Sequence, residues 1–173
     1  PHTDGTYNHD APGLQLLLCC EYEAEGGESI MVDGFKIAQI LRENHGTSYN
    51  ILSEIDIPGR YFGDGVELIA KRPVFKFRNK KLIQVSFNNY DRGDFRLPNN
   101  KINDFYTAIR AFDKLANDKE MQWRQILKPG QLLIFNNWRV LHGRSEFSGK
   151  RKMSGCYINK EDFESVCRMN SIY

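Results

Sequence analysis

The sequence predicts a single domain that is mainly β with flanking helices, an α+β or decorated double-sheet arrangement. Three observations predict it. Short apolar runs of strand length recur between turns containing Gly and Pro. One long segment and two shorter ones carry helical signals. The chain has 173 residues, 40% of them hydrophobic, which suits one core.

The elements follow in order. GLQLLLCC, residues 13–20, is an apolar run after Pro12 and reads as a buried strand. Gly26-Gly27 makes a turn into a second strand at Ser29–Val32. Asp33 stands where a helix N-cap belongs. Ile37, Ala38, Ile40 and Leu41 then share one helical face that stops near Asn44–Gly46. Residues 57–66, with Pro58, Gly59, Gly63 and Gly65, read as loop. Val74–Phe77 and Leu82–Phe87 read as a hairpin joined by polar Arg78–Lys81. Asn88–Asp94 is polar and turn-rich, the composition of a loop or a site rim. Ile102, Phe105, Tyr106, Ile109, Phe112, Leu115 and Ala116 keep a 3.6-residue period, so Asn100–Asn117 is a helix whose aromatic stripe is core. Pro129-Gly130 turns the chain into the apolar run Leu132–Phe135, and Met153–Ile158 forms a last strand. Asn159 and Asp162 have the spacing of a capping box that opens a final helix.

Composition excludes several classes. Twenty-four basic residues nearly balance 22 acidic ones, and no basic stripe is interleaved with aromatics, so no nucleic-acid footprint is expected. The apolar run Leu16–Cys20 is far too short to span a bilayer. Cys19, Cys20, Cys156 and Cys167 lack the paired spacing of a zinc site and are expected to be reduced and mostly buried, in the cytoplasm or an organelle. The chain opens on Pro-His with no Met or leader, which reads as a fragment or a processed product.

His2-Thr3-Asp4 carries the chemistry. In extended backbone, residues two apart point to one side, so an imidazole and a carboxylate can grip one ion. The third ligand has to come from His9, His45 or His142. His9 lies in a polar turn and His45 at a helix C-terminus, where a partly positive ring suits the dipole. His142 follows apolar residues in WRVLHGR and precedes a glycine that lets the backbone turn. A two-histidine, one-carboxylate face leaves coordination positions for a co-substrate and O2, the arrangement of non-haem Fe(II) oxygenases. Arg151 opens a strand-like segment downstream and offers a bidentate guanidinium for a carboxylate; the cluster Lys150-Arg151-Lys152 makes a plain surface arginine the competing reading.

HTDGTY, PGLQLLLCC, GGESIMVDGF, NNYDR, PGQLLIFNNWRVLHGR and GCY occur here in one order. Together they resemble the family of γ-butyrobetaine and trimethyllysine dioxygenases, over His2 to about Arg168. The resemblance implies a double-stranded β-helix, or distorted jelly roll, holding Fe(II) on His2, Asp4 and His142. It implies that Arg151 binds the co-substrate 2-oxoglutarate in a pocket lined by Leu17 and Ser29, with O2 as second co-substrate and ascorbate as a candidate reductant. Tyr157 would help enclose a trimethylammonium group, and Asn88, Asn89 and Asp91 would read the other end of a small quaternary ammonium substrate. HTDGTY and NNYDR are more similar to the trimethyllysine branch, because Asp91 offers a counter-charge to an α-ammonium that γ-butyrobetaine lacks. The implied reaction is hydroxylation of N6-trimethyllysine at carbon 3, towards carnitine, in cytoplasm or mitochondrial matrix, and a homodimer is compatible with it. Family members carry an N-terminal domain and further core strands before the HxD motif. Residues 1–173 are therefore expected to be the C-terminal, catalytic portion of a longer chain. A binding module that keeps the fold without turnover is the competing class.

Overall fold

A computed structural model describes residues 1–172. In chain order the elements are β1 (Leu14–Gly26), β2 (Ser29–Asp33), α1 (Gly34–Asn44), α2 (Gly46–Glu54), β3 (Ile57–Gly63), β4 (Val66–Arg72), β5 (Phe75–Arg78), β6 (Lys81–Val85), α3 (Asn99–Ala116), β7 (Gln122–Gln125), β8 (Leu132–Asn136), β9 (Val140–Arg144), β10 (Phe147–Ile158) and α4 (Lys160–Met169). A single 3₁₀ turn, Lys119–Met121, precedes β7.

Two antiparallel sheets form the jelly roll, one ordered β10-β1-β8 and the other β7-β2-β9. They meet where the Phe135 ring of β8 packs 5.0 Å from the His142 ring of β9. Alternation along the strands sorts the side chains. In β9, Leu141 turns outward into the helical core and His142 turns inward between the sheets. Along β10, Arg151, Met153, Gly155 and Tyr157 share one face. Opposite them on β1 stand Tyr22, Cys19, Leu17 and Gln15. A bulge between Cys19 and Glu21 adds one residue to β1, so Glu21 pairs with Lys152.

The main core lies on the far side of the β7-β2-β9 sheet. Ile30, Val32 and Leu141 meet Ile37, Ala38 and Leu41 of α1 there, with Phe105, Ala108 and Phe112 of α3. Phe112 stacks between Phe87 and Phe75, at 4.4 and 5.8 Å between ring centroids. The aromatic stripe read from the sequence is therefore core. Among the described residues no helix is long and apolar enough to cross a membrane.

Several expectations need correction. Residues 57–66 are not loop: β3 and β4 pair from Ile57↔Arg72 to Gly63↔Val66, with Asp64-Gly65 at the turn. The first strand runs on to Gly26 and the last begins at Phe147, because each supplies the other's hydrogen bonds beyond the apolar stretch. His142 lies inside β9 rather than after a strand. α2 and the polar strand β7 were not anticipated. Asn159 is the N-cap of α4, but no side-chain capping bond forms. Two of the four free thiols, Cys20 and Cys156, are exposed.

Asp33 caps α1 as expected. Its Oδ1 accepts from Phe35 N at 2.9 Å and Lys36 N at 3.3 Å, and Arg139 on the loop before β9 pairs with its Oδ2 at 2.7 Å. Asp33→Ala should cost about 1 kcal/mol of stability in a denaturant titration, the typical worth of such a cap. Burial raises the Asp33 carboxyl, but the bonds and charge of Arg139 outweigh it and hold the group below its ordinary 3.8. Its contribution is thus complete above that value and is lost as pH falls through the lower folded-state value. The stability gap between the protein and Asp33→Asn should narrow over that acid range.

Candidate active site

His2 reaches His142 through the backbone. His2 N donates to the His142 carbonyl at 2.9 Å, and His142 N donates to the His2 carbonyl at 2.8 Å. The two rings then lie with centroids 4.5 Å apart. Thr3 points the other way, as alternation requires, and is 2% exposed. Its N donates to the Phe87 carbonyl at 2.8 Å, and its Oγ1 accepts from Phe87 N at 2.9 Å. Asp4 is held by the buried side chain of Asn137. The Asn137 Oδ1 accepts from Asp4 N at 2.8 Å, while its Nδ2 donates to the carbonyls of Asp4 and Pro12 at 3.0 and 2.9 Å.

These tethers bring three donors together. His2 Nε2 lies 3.3 Å from Asp4 Oδ1, and His142 Nε2 lies 3.5 Å from Asp4 Oδ2. Ligand atoms from all three fall within 4.8 Å of one another. Neighbouring donors on an octahedral ion with bonds of about 2.1 Å stand about 3 Å apart, so the spacing fits a divalent ion. The set is two imidazole nitrogens and one carboxylate, with no thiol, which suits Fe(II) or Mn(II). The His142 Nδ1 is buried without a partner, so Nε2 is the nitrogen presented to an ion. Burial would raise the Asp4 carboxyl. Hydrogen bonds from His142 and His2, the His142 charge and the Tyr157 hydroxyl outweigh burial and hold it far below the usual carboxylate range. His9 is exposed and His45, also exposed, stands between α1 and α2; neither joins the cluster.

Arg151 occupies the inner face of β10, against Gly27, where a Cβ would meet its Cδ at 3.3 Å. Its neighbours Lys150 and Lys152 point to the opposite face and pair with Glu21. Alternation therefore separates Arg151 from the basic run that surrounds it in sequence. Burial lowers its pKa, and Arg144 nearby adds to the effect. Ser29 is buried opposite Arg144, and Leu17 shares the inner face of β1 with Gln15, opposite Gly155 and Leu133.

The Asn88–Asp91 loop stands beside the cluster. Asp91 Oδ2 accepts from Asn88 Nδ2 at 2.8 Å and from Thr6 Oγ1 at 3.2 Å. Asn89 Oδ1 accepts from Arg92. Burial raises the Asp91 carboxyl, with the Thr6 bond and the His2 charge opposing it. The Tyr157 hydroxyl donates to Asp4 Oδ2 at 2.8 Å, so this residue touches the carboxylate while the rest of it stays exposed.

Sequence reasoning missed the support of this loop. β3 carries it: Arg60 N donates to the Asp91 carbonyl at 2.7 Å, and Gly93 N donates to the Pro58 carbonyl at 2.8 Å. Gly59 lies so close to Thr6 that a Cβ would stand 2.5 Å from the Thr6 carbonyl carbon. Tyr61 of β3 stacks on Tyr7 at 5.3 Å, and Tyr7 feels the charges of Asp91 and Asp4. Tyr7 stood in the HTDGTY motif; Tyr61 stood in a stretch whose glycines hid the strand.

A jelly roll with two histidines and a carboxylate converging between its sheets is the arrangement of the non-haem metal oxygenases. The chain belongs to the taurine catabolism dioxygenase TauD, TfdA family, whose family model matches residues 1–157. It is 42% identical to trimethyllysine dioxygenase of Meyerozyma guilliermondii, over 98% of this chain and 43% of that protein. It is 34% identical to the human mitochondrial trimethyllysine dioxygenase, over 97% of this chain and 42% of that one. Human γ-butyrobetaine dioxygenase is also 34% identical, over 91% and 43%. The chain thus spans about two-fifths of the length of these relatives. Among solved structures, an asparagine oxygenase in complex with Fe(II), 3-hydroxyasparagine and succinate superposes with a TM-score of 0.72 at 16% identity, over 92% of this chain and 49% of that one.

Mn(II) at 100 times its dissociation constant should stabilise the chain by about 2.7 kcal/mol against unfolding. A thermal-shift titration reads this, and His142→Ala should abolish the shift. A variant that responds like the parent would show that the ion binds elsewhere.

Proposed function

We propose that this chain is the Fe(II)- and 2-oxoglutarate-dependent core of an enzyme that hydroxylates N6-trimethyllysine at carbon 3, the first step towards carnitine. The observation that carries this reading is the convergence of His2, Asp4 and His142, far apart in sequence, on one point. Iron held there supplies the oxidising chemistry in which 2-oxoglutarate and O2 yield succinate, CO2 and the hydroxylated product. His2, Asp4 and His142 hold the ion; Asn137 and the Tyr157 hydroxyl hold Asp4 in place. Arg151 receives the distal carboxylate of 2-oxoglutarate between Leu17 and Ser29, as a guanidinium with no carboxylate partner among the described residues can. Tyr157 presents its ring to the trimethylammonium group, which offers no hydrogen bond and is read by aromatic faces. Asn88, Asn89 and Asp91 read the amino-acid end.

The Asp91 loop favours trimethyllysine over γ-butyrobetaine. A carboxylate held by Thr6 and Asn88 beside the centre offers a counter-charge, and only the first substrate brings an α-ammonium to use it. The human relative's name supports a mitochondrial location.

Release of CO2 from 2-oxoglutarate, measured with trimethyllysine and γ-butyrobetaine side by side, tests the assignment. Faster release with trimethyllysine is expected. Binding of both without release would make the chain a binding module, and preference for γ-butyrobetaine would overturn the substrate.

Arg151→Met should weaken 2-oxoglutarate by about 2–5 kcal/mol, because the carboxylate loses a half-buried charged partner. Calorimetric titration of the Mn(II)-loaded protein measures it, and unchanged affinity would return Arg151 to the surface cluster. Asp91→Asn should cut kcat/KM for trimethyllysine by the worth of a charged hydrogen bond, about 1.5–3 kcal/mol, and leave γ-butyrobetaine unaffected or improved. Tyr157→Leu should weaken both by about 0.5–2 kcal/mol. Tyr157→Phe separates its two contacts, since it keeps the ring and loses only the bond to Asp4.

A further inference from the structure

Arg72 ends β4, is 7% exposed, and belongs to no motif considered so far. Among the described residues it has no salt bridge and no side-chain hydrogen bond. The opposite charge it feels is Asp10, an exposed residue outside the cavity that Arg72 lines. That cavity lies behind the Asn88–Asp91 loop, between β3, β4 and α3. Its polar lining is Arg72, Arg92, Thr6, Ser86, Asn88 and Asn89, and it contains no carboxylate. Arg92 gives one N–H to Asn89 Oδ1 and makes no salt bridge among the described residues. Among the described residues the amide nitrogen of the exposed Asn89 and the Ser86 hydroxyl donate to no partner. The space there that admits a water-sized body is about 20 Å³.

A guanidinium cannot escape burial by losing its proton. A charge that is mostly buried and unpaired is costly unless a counter-charge joins it. Water would satisfy the N–H groups and leave the charge. Two arginines, an amide and a hydroxyl all offer donors to the same space, which is a receptor for negative charge. The volume limits the guest to roughly one water-sized body. Sulfate and phosphate are too large.

We propose that this cavity binds one monovalent anion no larger than a halide or a carboxylate head, held by Arg72 and Arg92. Two sources carry that chemistry: a free halide, or the carboxylate of an amino-acid substrate reaching past Asn88. The second source rests on the trimethyllysine reading; the first does not.

Thermal unfolding in increasing sodium bromide, with ionic strength held constant by sodium sulfate, reads the first source without any activity. A saturable rise in Tm in the parent chain, absent in Arg72→Gln, is the expected result, with anomalous bromine density in the cavity of a bromide-soaked crystal. That density needs no variant, so it decides the matter even if Arg72→Gln folds poorly. For the second source, calorimetry compares trimethyllysine with its decarboxylated amine. Arg72→Gln should then weaken trimethyllysine at least tenfold and leave the amine unchanged, while bromide does nothing. The idea is overturned if the parent chain shows neither a saturable bromide response nor bromine density, and it binds the amine as tightly as trimethyllysine.

Discussion

The pair of backbone hydrogen bonds between His2 and His142 is the contact on which the rest of the site depends. It joins a short N-terminal segment to β9 at a single residue. Each such bond is worth only about 1 kcal/mol net, so the bridge by itself would not hold the segment in place. Thr3 and Asn137 make it hold. Thr3 exchanges two bonds with Phe87. Asn137 uses three bonds to fix Asp4 and Pro12. Both side chains are buried, so losing either partner would strand polar atoms away from water. The middle residue of the HxD motif thereby ties the His2–Asp4 segment to the start of the Asn88–Asp91 loop.

The donor triad was legible because its chemistry sits on side chains at a telling spacing. HxD gives two donors from one extended segment, and His142 was the one histidine in an apolar setting beside a glycine. Thr3 and Asn137 were not legible, because they act on backbone groups and any polar residue could have stood there. The Arg151 reading was open for a related reason. Lys150-Arg151-Lys152 looks like one basic run until strand alternation divides it.

The β3–β4 hairpin was the largest miss, and its glycines explain it. Pro58, Gly59 and Gly63 punctuate like a loop, yet Gly59 is small because Thr6 passes directly over it. The residue that hid the strand is the one that lets the strand serve the site. The polar strand β7 was hidden differently: QWRQ has no apolar alternation, and its place is set by β2 alongside it. α1, α3 and the β5–β6 hairpin were readable since their periodicity faces one continuous core.

The bulge in β1 has an electrostatic consequence. With continuous pairing, Cys19 opposite Met153 would put Cys20 opposite Lys152 and Glu21 opposite Arg151, on the same inner face. A glutamate there would form an internal ion pair with the arginine and compete with any incoming dianion. One extra residue shifts the phase, so Tyr22 faces Arg151 and Glu21 goes outside to the two lysines. The extra residue at Cys20 thus keeps the charge of one arginine unspent on its own strand partner, because it sets the phase that sends Glu21 outward and brings an uncharged ring, Tyr22, to the inner face.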